Sequence, residues 1–160
     1  FLAALLLGSR GLRSLLLTVT AFTVAHSLSL AVATLGWAHV SPAWVEPAIA
    51  ASIIWVAAEN VWLSPTPLRR HALTFVFGLV HGLAFAEALT DLHLGGWPLA
   101  RALFGFNAGG ELGQALVVLL LAPALTWIER RTAGPRLERA MSASIAAIGL
   151  FWLVQRMVPA

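Results

Sequence analysis

Two histidines, two carboxylates and two amides fall inside apolar runs where such groups are expensive. They are His26 in FTVAHSLSLAVA, His81 in FGLVHGLAFAEAL, Glu59 beside Asn60 in AAEN, and Asn107 with Glu111 in FNAGGELGQ. Neutral imidazole together with carboxylate and amide oxygen is a ligand set for a divalent transition metal, and suits nickel, cobalt or zinc better than magnesium or calcium. An ionisable side chain in a membrane span marks a functional site by default. The same groups also have a plainer use, because a polar side chain can hydrogen-bond one membrane helix to the next.

Helical spacing sorts these residues into stripes. Thr20, Thr23 and Ser27 share a face of one segment, with His26 beside it. Ser52 and Glu59 are seven residues apart on the next, and Asn60 adjoins them. Thr74, Gly78, His81 and Gly82 form a third stripe, in which Gly78 and Gly82 make a G-x-x-x-G pair that lets a neighbouring helix approach closely. Asn107, Glu111 and Gln114 form the fourth, among Gly109, Gly110 and Gly113. By depth, His26, His81, Asn107 and Glu111 fall nearest the midplane. Glu46, Glu87, Asp91, His39 and His93 lie toward one face, and Glu59 and Asn60 toward the other. Glu87, close to an interface, also reads as a solvated carboxylate.

The elements that must position these groups are membrane helices. Of 160 residues, 59% are hydrophobic and 11% charged; globular domains run nearer 25% charged. Mean hydropathy is +0.85. The net charge of +3 does not indicate nucleic-acid binding, because the basic residues are all arginines and most fall in short loops. There is no cysteine, so disulfides and thiolate ligands are excluded.

A span needs about 20 apolar residues. Residues 1–8 read as the end of a helix that starts upstream of Phe1. Full spans are expected at about 15–37, 42–63, 71–89, 99–127 and 140–157, with Ser41 and Pro42 as a helix start and Ser64 to Pro67 as a break. This describes one all-α polytopic transmembrane helix bundle, five full spans plus the end of a sixth. Arg10, Arg13, Arg69, Arg70, Arg130, Arg131, Arg136 and Arg139 mark the cytoplasmic loops, which puts the C-terminus outside. Trp37, Trp44, Trp62, Trp97 and Trp127 fall at span ends, as an aromatic belt should.

Enzyme classes fare poorly. There is no H-E-x-x-H zinc motif and no G-x-S-x-G nucleophile. His26 and Ser27 are helical neighbours that point apart, so they are no dyad.

The four runs that carry the polar stripes, together with VEPAIAASI at 45–53, resemble the HupE/UreJ family of bacterial membrane proteins. The likeness covers most of the chain and places His26, Glu46, Glu59, Asn60, His81, Asn107 and Glu111 on family motif positions. It implies uptake of nickel or cobalt, or an accessory role in hydrogenase or urease maturation, in the bacterial inner membrane. The family's early H-x-x-x-G-x-D-H motif is not in this sequence and would fall before Phe1. Ala84 stands where glycine is expected.

The resulting expectation is secondary uptake of a divalent metal, with no permanently bound cofactor. His26, His81 and Glu111 would be transient ligands, Asn107 an oxygen ligand or their support, and Glu46 an outer attractor. Glu59 and Asn60 would pass the ion inward. The rival readings are a membrane scaffold that docks maturation factors and a channel for protons or small solutes.

Overall fold

Runs of Leu, Ala, Val and Ile without strand-breaking alternation fold as helices, and in lipid a helix also satisfies every backbone polar group internally. The computed structural model describes residues 1–7, 12–63, 66–129 and 134–158. Its helices are α1 (Leu2–Leu7), α2 (Leu12–Thr34), α3 (Pro42–Trp62), α4 (Pro67–Thr90), α5 (Gly96–Glu129) and α6 (Gly134–Met157). No strand occurs among the described residues. Ser64, Pro65, Arg10, Arg130, Arg131 and the side chain of Glu87 lie outside the described residues.

The expected boundaries hold at some ends and shift at others. Ser41 caps α3, accepting the Ala43 N–H at 3.3 Å, with Pro42 at the first helical position. By contrast, α4, α5 and α6 start at Pro67, Gly96 and Gly134, several residues earlier than hydropathy suggests. Arginines and prolines of the first turn extend each helix into the interface, where a charge or a missing N–H costs little. The 34 residues of α5 make it about 51 Å long at ~1.5 Å per residue, well beyond a hydrocarbon core of about 30 Å.

Among the described residues, four helices are long and apolar enough to cross a membrane: Arg13–Thr34, Pro67–Thr90, Gly96–Leu125 and Gly134–Met157. The expectation was five. The difference is α3, a 21-residue helix whose apolar run is diluted by Glu46, Pro47, Glu59 and Asn60. It is helical throughout, yet it lies outside that group of four.

Two pairs of helices form the frame. α2 and α4 pack most extensively, in the register Phe22 to Gly78 and His26 to Gly82. A Cβ at Gly78 would stand 2.6 Å from the Phe22 carbonyl oxygen. α3 packs on α6, where Gly149 lies against Ile53 and Ile54. α1 fills the space between them, with Ala4 and Leu5 fully buried. Leu6 and Leu7 join Leu15 and Leu125 in one core cluster, and Leu30, Ala86 and Leu89 form another at the far end of α2 and α4. α5 is the loosest member, with most of one side exposed. Trp37, Trp44, Trp62, Trp97 and Trp127 are each at least 60% exposed, as residues of an interfacial belt must be.

Candidate functional site

The glycines of α4 decide where the histidines sit. Gly82 has no room for a side chain because the His26 carbonyl and the Ser29 hydroxyl press against it. His26 on α2 and His81 on α4 therefore occupy one layer. Both rings touch Phe22, His26 at 5.8 Å and His81 at 5.3 Å between centroids.

His81 is buried, 8% exposed, and its Nε2 lies 2.9 Å from the Ser52 hydroxyl of α3. Ser52 in turn donates to the Ile49 carbonyl at 2.7 Å. His26 has no such partner. Its Nδ1 is buried and makes no hydrogen bond. Its ring stacks on Phe106 of α5 (6.3 Å, interplanar angle 9°) and on Phe22, with Phe85 of α4 on another side. A buried polar atom left unpaired costs about 1–3 kcal/mol, so this nitrogen stands out in an otherwise apolar cage.

α5 joins α2 through amides. Ser27 donates to Asn107 Oδ1 at 2.7 Å, and Thr23 donates to Gln114 Oε1 at 3.0 Å. Asn107 Nδ2 donates to the Leu103 carbonyl of its own helix. The two polar stripes read from spacing thus do face each other. Glu111 does not join them: it is exposed, although it lies one turn from Asn107. Gly105, Gly109, Gly110 and Gly113 have nothing within 4 Å of a notional Cβ, so this side of α5 meets no other described helix. Of the four expected ligands, the fold brings His26 and His81 into one layer, ties Asn107 to Ser27 of α2, and leaves Glu111 apart. No group of three or more His, Asp or Glu side chains stands close enough to hold a metal ion among the described residues.

Toward the end of the bundle where α2 stops and α3 starts, a cavity of about 440 Å³ opens between α2, α3 and α4. His39, Ser41, Glu46, Thr90 and Asp91 line it, over a floor that includes Leu83 and Ala86. Glu46 is paired with Arg156 of α6 at 2.6 Å, both partly exposed. His93 is exposed in the following turn, with a left-handed φ of 50°.

At the opposite end, Glu59 is 2% exposed and faces Arg69 at 3.3 Å. Asn60 donates to the Ala4 carbonyl at 2.7 Å and accepts from buried Arg70 at 2.9 Å. Glu59 and Asn60 therefore bind α1, α3 and α4 together. The inward relay expected of them meets two guanidiniums, which repel a dication. Arg69 and Arg70 were legible only as topology markers. Their pairing was not, since it depends on how far α4 extends past its apolar run.

The architecture is that of a multi-pass membrane protein with polar side chains converging between its helices. The chain belongs to the HupE/UreJ family: the family model described as HupE / UreJ protein matches residues 1–156. Membership implies nickel or cobalt transport, or an accessory role for urease or hydrogenase. No curated protein and no solved structure gives a significant match.

Proposed function

We propose that this protein is a secondary permease for nickel or cobalt in the bacterial inner membrane, with α3 as a fifth span and the C-terminus outside. The observation that carries the reading is the shared layer of His26 and His81 between α2 and α4, where one imidazole nitrogen is sealed in without a partner. The cavity lined by His39, Glu46 and Asp91 supports an outer vestibule, since negative charge in a cleft raises the local concentration of a cation.

In this reading a dication enters at Glu46 and is taken up by the imidazoles of His26 and His81. Asn107 supplies an amide oxygen, and Glu111 completes the ligand set when α5 turns or shifts. The weak attachment of α5 and its four open glycines favour such a movement. Passage inward requires the Glu59, Arg69, Arg70 and Asn60 cluster to part. Imidazole and carboxylate bind metal only when deprotonated, so proton exchange at these groups couples to metal movement.

One observation favours the accessory-protein reading instead. Ser27 with Asn107, and Thr23 with Gln114, already satisfy one another across α2 and α5 as a structural zip would. Thermal melting of the purified protein separates the two. A permease melts higher in Ni²⁺ or Co²⁺, and the shift disappears in His81→Ala. A scaffold loses stability when the zip is cut in Gln114→Ala and shows no metal-dependent shift at all.

A further inference from the structure

A neutral imidazole has one N–H and one lone pair, and the partner of one nitrogen decides which is which. For His81 that partner is Ser52. The Ser52 hydroxyl has a single proton, and the Ile49 carbonyl 2.7 Å away can only accept it. The Ser52 oxygen then faces His81 Nε2, at 2.9 Å, with a lone pair. Nε2 must carry the hydrogen. With the hydrogen on Nε2, the lone pair lies on Nδ1, which makes no hydrogen bond among the described residues.

The arrangement has little freedom to rearrange. Ser52 is 2% exposed and His81 8%. The serine backbone belongs to α3, and its hydroxyl is tied to its own preceding turn. The ring is bounded by Phe1 at 4.7 Å and by Phe22. Rotating the ring to present Nε2 elsewhere would strand a buried N–H or a buried lone pair.

We propose that Ser52 is a positioning residue that locks His81 as the Nε2–H tautomer, so that Nδ1 is the atom His81 offers to a cation in the histidine layer. This deepens the permease reading and rests on it for the cation alone; the tautomer lock is a property of the metal-free protein. The logic is that of an outer partner that orients a metal-binding imidazole by holding its other nitrogen.

The test is ¹⁵N NMR of histidine-labelled full-length chain in lipid nanodiscs, without metal, at a pH where imidazole is neutral. The His81 signals are assigned by their loss in His81→Asn. The wild type is expected to show a protonated Nε2 and a bare Nδ1. Ser52→Ala is expected to give mixed tautomers, and Ser52→Thr, which keeps a hydroxyl, to restore the single one. Ni²⁺ titration by calorimetry is expected to weaken about tenfold in Ser52→Ala and to recover in Ser52→Thr. A protonated Nδ1 in the wild type, or an unchanged tautomer in Ser52→Ala, overturns the proposal. A locked tautomer with no Ni²⁺ binding by the wild type removes the permease reading and leaves the role of Ser52 standing.

Discussion

A β-carbon at Gly82 would run into the carbonyl oxygen of His26, so the two helices that carry the histidines meet closely in the layer that holds both rings. No side chain larger than hydrogen fits there. The packing contact and the candidate site are therefore one feature.

Gly82→Ala tests this relationship. A methyl group would be driven into the His26 carbonyl and the Ser29 hydroxyl, and the carbonyl, being backbone, cannot swing aside. The substitution should cost about 1–3 kcal/mol, read as a lower melting temperature in detergent. Gly105→Ala on α5, where a Cβ meets nothing within 4 Å, should change stability by no more than about 0.5 kcal/mol.

Glu59 and Arg69 should respond unequally. Glu59 is the buried anion that faces the guanidiniums of α4. Removing it in Glu59→Ala leaves Arg70 buried without a countercharge, at a cost on the order of 3–5 kcal/mol. Arg69 is 45% exposed, so Arg69→Ala should cost only about 1 kcal/mol or less. Urea or thermal unfolding of the two variants checks the order. Equal losses would mean that the cluster is hydrated and carries no buried charge.

Ser27 and Asn107 should couple modestly. Hydrogen bonds between membrane helices average about 0.6 kcal/mol in double-mutant cycles. A cycle of Ser27→Ala and Asn107→Ala should give a coupling of that size, and a cycle of Ser27→Ala with Glu111→Gln should give none.

Glu46 should act on capture more than on stability. Its pair with Arg156 is partly exposed, and such pairs are worth about 0–1 kcal/mol. Glu46→Gln should raise the KM for nickel uptake several-fold with little change in maximal rate. Raising ionic strength to about 1 M, where charges are screened within roughly 3 Å, should erase most of the difference.

Much of this was legible in the sequence, and the reasons can be traced to particular residues. The Thr74, Gly78, His81 and Gly82 stripe was readable because helical period fixes which residues share a face, and all four lie on the packed side of α4. Thr23, Ser27, Asn107 and Gln114 were readable as two polar faces, and each needed the other. Ser41 and Pro42 announced the start of α3 by local chemistry alone. Periodicity placed Glu111 with Asn107 and Gln114, but it could not resolve the small rotation that leaves Glu111 on the open side. The Phe22, Phe85 and Phe106 cage around His26 comes from three helices, and nothing in one chain's spacing joins them. Ser52 was visible as a polar residue sharing a face with Glu59 on the neighbouring helix, which is the signal that could have paired it with His81.

The most direct test of the central claim is nickel uptake into proteoliposomes holding the purified full-length chain, with His26→Ala and His81→Ala beside it at matched, folded protein. The account predicts saturable accumulation by the wild type above protein-free vesicles, reduced at least tenfold in each variant. Accumulation that is absent in the wild type, or undiminished in both variants, would contradict it.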